Sequence, residues 1–210
     1  MKKISLIILA LVAPWFITPV SHASACVPNE LVFARGTNEG AAGVGAVGDA
    51  FVAALHPASV YAVNYPASMA FNDSVLAGVA DAAAHIEGVV AACPRTKIVL
   101  GGFSQGADLA SFVLSDAPPA GVDTDLRPLS DAVAAHIKAV ILFAPPSDGF
   151  ANLLGVPQAV IGGRFLGKTL TLCADGDPIC SGGGSDFSVH NSYVDNGSIQ
   201  TAVNYVRTHL

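Results

Sequence analysis

Five short runs rich in valine, isoleucine, leucine and phenylalanine alternate along the chain with segments of helical pattern. Each run is apolar at almost every position rather than at every second one, which is typical of strands that are covered on both faces. Strands that alternate with helices in this way form a parallel sheet with a helical layer on each side. The predicted strands are Glu30–Ala34, Val60–Asn64, Lys97–Phe103, Lys138–Ala144 and Thr169–Ala174.

The segments between these runs complete the predicted architecture, a three-layer α/β/α sandwich around a central, mostly parallel five-stranded sheet. Right-handed crossovers place the carboxyl ends of the strands along one edge, which is where open α/β sheets bind their ligands. Two stretches rich in proline or glycine, Asp116–Ser130 and Ser181–Ser188, are predicted loops. The predicted helices cover about Val44–Leu55, Ser74–Cys93, Ala107–Ser115, Asp131–His136 and Ser198–Thr208.

Residues 1–25 have the pattern of a secretory signal peptide. Lys2 and Lys3 precede a short apolar region, and the small residues Ala23-Ser24-Ala25 form an A-x-A cleavage site. We therefore expect cleavage after about Ala25 and secretion of a single domain, residues 26–210. Two alternatives are a retained N-terminal anchor and lipidation of Cys26. The second is disfavoured because lipoprotein signals usually carry a large aliphatic residue where Ala23 stands.

The charge of the mature domain limits its partners. The full chain has a formal net charge of -6, and removal of two lysines with residues 1–25 takes it to -8. An acidic chain without a basic cluster is a poor ligand for nucleic acid, since phosphate neutralisation requires grouped lysine and arginine. We expect a monomer with no nucleic-acid partner and no stable membrane insertion.

The four cysteines indicate two disulfides, because export places the chain in an oxidising compartment. Four cysteines allow three pairings. Their positions favour Cys173–Cys180 by proximity, which leaves Cys26–Cys93 to connect the N-terminus to the body of the domain. The alternative, a zinc site, lacks a C-x-x-C pair or a nearby histidine cluster, and we expect no metal or organic cofactor.

The pentapeptide Gly102-Phe103-Ser104-Gln105-Gly106 stands between the third predicted strand and a helix. A sharp strand-to-helix turn with a serine at its tip exposes the hydroxyl as a nucleophile, and glycines relieve the crowding where strand and helix approach. A glycine-rich chain can produce this pentapeptide by chance, so its flanking elements matter. They make Ser104 the candidate nucleophile.

A serine nucleophile needs a base to accept its proton and a carboxylate to orient that base. Of the histidines after Ser104, His136 and His209 have the positions of ordinary surface groups, whereas His190 follows a glycine-rich loop after the last strand. The acid is predicted in the turn that follows the last strand. There, spacing alone leaves Asp175 and Asp177 as alternatives, and either is equally explained as a turn-forming residue.

Together these segments resemble the cutinase family of serine esterases. The matching parts are Gly102–Ala107, the Cys-x-x-x-Asp-x-x-Cys turn at 173–180, His190 thirteen residues after Asp177, and Ala34-Arg35-Gly36-Thr37. The resemblance spans essentially the whole mature domain. It implies a lidless α/β-hydrolase that cleaves carboxylic esters.

The resemblance also assigns roles within the site. It selects Asp177 rather than Asp175 as the catalytic acid, and it implies an oxyanion hole made by the backbone N–H groups of Gln105 and Thr37. Thr37 stands where many relatives carry serine. The catalytic triad implied is therefore Ser104, Asp177 and His190.

Two departures from the family pattern bear on the substrate. The loop before His190 has only Phe187 and Val189 as clearly apolar residues, and Phe143-Ala144-Pro145-Pro146 replaces a frequent Gly-Asp-Pro. The triad alone does not distinguish cutin or other aliphatic esters from the alternatives. These are phospholipid or thioester hydrolysis, acyl transfer, acetylxylan-type deacetylation, and a secreted surface-binding protein without turnover.

Overall fold

The computed structural model describes residues 26–40, 42–118 and 126–210, so the predicted signal peptide, residues 1–25, lies outside the described residues. At its centre is a five-stranded sheet in the order β2-β1-β3-β4-β5, in which all neighbouring strands are parallel. The predicted α/β fold with a central parallel sheet is thereby confirmed. The strands are β1 (Asn29–Ala34), β2 (Ser59–Ala62), β3 (Lys97–Phe103), β4 (Ile137–Phe143) and β5 (Thr169–Leu172).

Helices cover both faces of this sheet. Apolar side chains of α1 and α8 pack on one face, and those of α2 and α3 pack on the other. A turn of 3-10 helix, Ser192–Val194, precedes α8. The α-helices are α1 (Gly45–Leu55), α2 (Phe71–Ala92), α3 (Gln105–Val113), α4 (Asp131–Ala134), α5 (Asp148–Leu154), α6 (Gly163–Leu166), α7 (Phe187–His190) and α8 (Ser198–His209).

The sheet separates two hydrophobic cores, and β1 shows why its strands are apolar throughout. Leu31 and Phe33 face the core under α1 and α8, whereas Val32 and Ala34 face the core under α2 and α3. All four side chains are fully buried. Burial of a large apolar side chain contributes roughly 1.5–3 kcal/mol, so both faces of the strand stabilise the fold.

The differences from the predicted elements are concentrated after β4. No helix was predicted at α5, α6 or α7, and residues Ser181–Ser188, which overlap α7, were predicted as a loop. These helices have four to seven residues and span at most two turns, so they show little apolar period, although the equally short α4 was predicted within Asp131–His136. Ser147 caps the N-terminus of α5 and Gly155 ends it in a left-handed conformation, and this Ser-to-Gly spacing was the available signal.

Helix α2 is long and apolar enough to cross a membrane by length and composition alone. The same test is passed by core helices of soluble proteins. One face of α2 packs in the hydrophobic core through side chains that include Val75, Val79 and Ile86. That packing accounts for the apolar residues on this face of the helix.

The structure contains two disulfides. Cys26–Cys93 connects the segment before β1 to the C-terminus of α2, and Cys173–Cys180 closes the turn that follows β5. The second disulfide lies at the carboxyl edge of the sheet. It therefore restrains a loop at the edge where ligands bind in this class of fold.

Candidate active site

Ser104 occupies the turn between β3 and α3, at the carboxyl edge of the sheet. Its backbone has φ of 54° and ψ of -120°, a sparsely populated conformation for a residue with a side chain. The N–H of Ser104 donates to the carbonyl oxygen of Phe143 at 2.9 Å, which fixes the turn to the end of β4. The strained turn presents the hydroxyl group at the surface of a cleft.

The glycines of the pentapeptide are required by close backbone contacts. A Cβ atom at Gly102 would lie 2.1 Å from the carbonyl oxygen of Gly106, and one at Gly106 would lie 2.1 Å from the carbonyl oxygen of Ala34. Both distances are far below van der Waals contact. The helix therefore starts against the ends of β1 and β3 only because these positions have no side chain.

The structure brings Ser104, His190 and Asp177 together. Ser104 and His190 are 86 residues apart in the sequence, and Asp177 and His190 are 13 residues apart. His190 Nε2 lies 2.9 Å from Ser104 Oγ. Its Nδ1 lies 2.9 Å and 3.1 Å from the two carboxylate oxygens of Asp177. With its proton on Nδ1, the imidazole donates to Asp177 and leaves Nε2 free to accept the Ser104 proton.

Asp177 is completely buried, and its carboxylate is held by donors besides His190. The backbone N–H of Ile179 donates to Oδ1 at 2.8 Å, and the hydroxyl of Tyr193 donates to Oδ2 at 2.7 Å. The Cys173–Cys180 disulfide encloses this turn. These contacts give the carboxylate a single orientation, which is what a base-orienting group requires.

The other candidate residues lie apart from this arrangement. Asp175 is exposed, in contrast to Asp177 two residues later. His136 pairs through Nδ1 with the carbonyl oxygen of Thr96, and His209 pairs with that of Tyr205. The geometry thus favours Asp177 and His190 over the alternatives that spacing left open.

Tyr193 is a site residue that the sequence analysis did not identify. Its side chain is fully buried, and its hydroxyl accepts from the N–H of Ala174 at 2.8 Å while donating to Asp177. Burial raises the pKa of Tyr193, and the adjacent carboxylate adds to the increase. The phenol therefore remains a donor. A tyrosine three residues after a histidine carries no recognisable motif, so only the tertiary contacts reveal it.

Thr37 and Gln105 both line the cleft beside Ser104. Throughout the described residues, the backbone N–H of neither one donates a hydrogen bond. Gln105 is the first residue of α3, where the helix dipole adds partial positive charge. Two unpaired N–H groups beside a nucleophile have the properties of an oxyanion hole.

The loop that carries Thr37 is held by the side chains of Arg35 and Glu39, to which the sequence pattern assigned no role. The Arg35 guanidinium is buried and donates to the carbonyl oxygens of Glu39 and Tyr65 at 3.0 Å and 2.7 Å. The Glu39 carboxylate accepts from the N–H groups of Gly36 and Ala46 at 2.6 Å and 2.8 Å. These hydrogen bonds hold the Thr37 loop against the segment after β2 and the start of α1.

A cleft of about 280 Å³ opens beside Ser104. Phe187 and Met69 stand at its mouth with 59% and 63% of their surfaces exposed. The apolar residues at the mouth of the cleft therefore include Met69, which lies before α2, as well as Phe187, which was named above in the loop before His190. Its walls are mostly apolar and include Phe71, Phe103, Pro146, Phe150, Leu154 and Val156.

Asp108 adds a carboxyl group to these walls. It lies in the first turn of α3 and lines the same cleft. Burial raises the pKa of its carboxyl group to about 7. Nothing in the sequence distinguished this aspartate, because it belongs to no motif and its surroundings come from distant segments.

No group of three or more histidine, cysteine, aspartate or glutamate side chains is placed to hold a metal ion within the described ranges. Among the described residues, the polar side chains that line the cleft besides Ser104 and His190 are those of Thr37, Glu39, Gln105, Asp108 and Asn191. The arrangement can carry out acyl transfer through a serine nucleophile, using protein groups alone as acid and base.

A model of the cutinase family matches residues 25–210. The chain belongs to the cutinase family. The matched range contains Thr37, Ser104, Gln105, Asp177 and His190, as well as both disulfides. Membership in the cutinase family therefore extends over every residue that the geometry brings to the cleft.

Comparisons with individual proteins agree with this cutinase-family assignment. Carboxylesterase Culp1 of Mycobacterium tuberculosis is 43% identical over 198 residues, which cover 90% of this chain and 85% of that protein. Phospholipase Culp4 of the same organism is 39% identical over 197 residues, covering 91% and 82%. The catalytic core domain of acetyl xylan esterase from Trichoderma reesei superposes with a TM-score of 0.72 at 26% identity, covering 88% of this chain and all of that structure (100%).

Proposed function

We propose that this cutinase-family chain is a secreted serine esterase that hydrolyses carboxylic esters through Ser104, His190 and Asp177. One observation carries the proposal, the continuous hydrogen-bond chain from Ser104 Oγ through His190 to the buried Asp177. It is supported by the similarity to carboxylesterase Culp1, since the alignment covers most of both chains at 43% identity. The chain is accordingly a carboxylic ester hydrolase.

In the acylation step, His190 Nε2 accepts the proton of Ser104 as Oγ attacks the ester carbonyl carbon. The carbonyl oxygen becomes an oxyanion, which the N–H groups of Gln105 and Thr37 stabilise. Loss of one such donor costs roughly 3–4 kcal/mol in the transition state. The protonated His190 then gives its proton to the leaving alcohol, and Asp177 stabilises the imidazolium while it exists.

Deacylation repeats these steps with water in place of Ser104. His190 removes a proton from the water molecule, which attacks the acyl-enzyme, and the same proton returns to Ser104 as the acid leaves. An alcohol or thiol that enters the cleft instead of water would give acyl transfer. The triad is identical for both outcomes, so hydrolysis depends on the accessibility of the cleft to water.

The apolar walls of the cleft favour an aliphatic acyl chain, as in lipid esters or cutin. A second candidate is phospholipid hydrolysis, which is favoured by the name of Phospholipase Culp4 at 39% identity. Deacetylation is favoured only by the structural match to an acetyl xylan esterase. The cleft is large enough for a chain longer than acetyl, which supports the aliphatic ester.

Secretion and a monomeric state belong to the same proposal. The two disulfides fit an oxidising compartment. Mass spectrometry of protein from the culture medium tests cleavage after about Ala25, and light scattering tests the monomer.

The proposed chemistry is tested with a fluorophosphonate probe and a short-chain ester such as p-nitrophenyl butyrate. We expect stoichiometric labelling of the wild-type protein and none of Ser104→Ala, with hydrolysis reduced at least about 10³-fold. Ser198→Ala, at the start of α8, removes a hydroxyl away from the cleft and serves as the control. Labelling that persists in Ser104→Ala would exclude Ser104 as the nucleophile.

The substrate class is tested by comparing hydrolysis rates on several kinds of ester. Rates on esters of increasing acyl length, a phosphatidylcholine, an acetylated xylan and a cutin film are compared per labelled active site. We expect the highest kcat/KM on aliphatic esters longer than acetyl. A preference for acetylated xylan would contradict the aliphatic assignment without affecting the triad.

A further inference from the structure

The polar side chains of the cleft, apart from the triad and Thr37, have hydrogen-bond partners in all but one case. The Glu39 carboxylate accepts two backbone N–H groups, the Gln105 amide bonds to a serine hydroxyl and a carbonyl oxygen, and the Asn191 amide donates to a carbonyl oxygen. The exception is Asp108. Across the described part of the chain, its carboxyl group makes no hydrogen bond and no ion pair.

Asp108 lies one helical turn from the nucleophile. Its backbone N–H donates to the carbonyl oxygen of Ser104 at 3.1 Å, which is the spacing of an α-helix. Asp108 and Ser104 line the same cleft, Asp108 from the first turn of α3 and Ser104 from the residue before that helix. The carboxyl group is therefore placed to meet a substituent of an ester whose carbonyl is bonded to Ser104.

The surroundings of this carboxyl group in the cleft are mostly apolar, whereas a separate cavity that Asp108 also lines includes the polar residues Ser111, Asp148 and Gln158. Phe71 and Val156 line both the cleft and the smaller cavity that Asp108 also faces. Burial raises the pKa of Asp108 to about 7, as expected for a carboxyl group with little solvation. Such a group is destabilised until a hydrogen-bond donor reaches it. An uncharged hydroxyl suits this environment better than an ammonium, because apolar walls penalise a charged group more strongly.

We propose that Asp108 is a specificity-determining residue that accepts a hydrogen bond from a hydroxyl group of the ester substrate, a few atoms from the reacting carbonyl. This inference rests on the proposed function, since it places the hydroxyl relative to a carbonyl bound at Ser104. It narrows the substrate class from aliphatic esters to hydroxylated ones. The hydroxyl can belong to the acyl chain or to the alcohol, because both extend from the same carbonyl.

The test compares ethyl butyrate with ethyl 3-hydroxybutyrate, which carries the hydroxyl on the acyl side, and with 2-hydroxyethyl butyrate, which carries it on the alcohol side. Release of acid is followed by pH-stat for the wild type, Asp108→Asn and Asp108→Leu. We expect the wild type to favour one hydroxylated ester. In Asp108→Leu, the kcat/KM of that ester relative to ethyl butyrate falls about tenfold, the size of one lost hydrogen bond. The fall is smaller in Asp108→Asn, whose amide oxygen still accepts.

Asp73→Asn is the matched control, because it removes an exposed carboxylate from the first turn of α2 without altering the cleft wall. All rates are normalised to the fraction of sites labelled by fluorophosphonate, so misfolded protein does not contribute. If both Asp108 variants reduce the three esters equally, Asp108 has a structural role and the inference is wrong while the esterase proposal stands. If the wild type hydrolyses none of the esters and is not labelled, the proposed function itself is wrong.

Discussion

The buried hydroxyl of Tyr193 donates a hydrogen bond of 2.7 Å to Oδ2 of Asp177, the same oxygen that lies 2.9 Å from His190 Nδ1. The hydroxyl also accepts from the N–H of Ala174. It is therefore fixed between the turn after β5 and the carboxylate. Because a donor to a carboxylate reduces its effective negative charge, Tyr193 acts on His190 through Asp177 as a positioning residue.

Tyr193→Phe removes this donor while keeping the aromatic ring in its place. We expect kcat/KM for p-nitrophenyl butyrate to fall about 10-fold, because the carboxylate loses one of the contacts that orient it. We also expect the acidic limb of the pH profile of kcat/KM to move to higher pH. The uncompensated carboxylate would stabilise the imidazolium more strongly.

Tyr205→Phe provides the control, since Tyr205 lies on α8 and stacks on His209 away from the cleft. A purely structural role for Tyr193 predicts a lower melting temperature with an unmoved pH profile. That result would contradict the electrostatic coupling between Tyr193 and His190.

Gly106→Ala is expected to destabilise the domain and abolish activity. The added Cβ would overlap the carbonyl oxygen of Ala34 at 2.1 Å, so either α3 or β1 must move. We expect a loss of at least about 2 kcal/mol in the free energy of unfolding, measured by urea denaturation. Gly88→Ala on α2 is the control, because nothing lies within 4 Å of its added Cβ. It should stabilise the helix by about 0.5–1 kcal/mol.

The two disulfides are expected to affect different properties, one mainly the stability of the fold and the other mainly the activity. Serine replacement of Cys26 and Cys93, 67 residues apart, should lower the free energy of unfolding by about 4 kcal/mol in the loop-entropy description, with the fraction of labelled active sites unchanged in folded protein. Replacement of Cys173 and Cys180, seven residues apart, should lower stability by only about 2 kcal/mol. It should reduce kcat more strongly, because this bridge encloses Asp177. Equal effects on kcat from both replacements would be inconsistent with this division.

The raised pKa of Asp108 is expected to make the free energy of unfolding decrease as pH rises. Its pKa is about 7 in the folded domain against an ordinary 3.8, so between these values the folded protein holds a proton that the unfolded chain releases. The free energy of unfolding therefore falls as pH rises from about 4 to 7 and then levels off. Asp108→Asn lacks this contribution. Its stability relative to wild type should rise by on the order of 2–4 kcal/mol between pH 4 and pH 8.

The measurement is the urea midpoint of both proteins at each pH, because the difference between them cancels the other titrating groups. Asp73→Asn again serves as the control for removal of an exposed carboxylate. A difference between wild type and Asp108→Asn that does not change with pH would contradict the shifted pKa.

Much of the fold could be predicted because its determinants are local. The apolar runs located all five strands to within about two residues, and Gly102 and Gly106 marked the turn at Ser104. The short helices α5, α6 and α7 were not predicted, since so few residues show little period, and of the helices this short only α4 was located. Their stability comes from packing against the rest of the domain rather than from their own sequence.

The sequence by itself determined the layered α/β architecture, the strand-to-helix turn at Ser104 and the identity of the residues available as base and acid. The tertiary structure decided which side chains meet there. It buried Asp177 beside His190 while leaving Asp175 exposed, and it placed Tyr193 against the carboxylate. It also left the Asp108 carboxyl group in the cleft wall without a hydrogen-bond partner among the described residues. The physical reason is that periodicity and turn chemistry depend on neighbouring residues. Burial, hydrogen bonding and pKa depend on atoms brought together from distant parts of the chain.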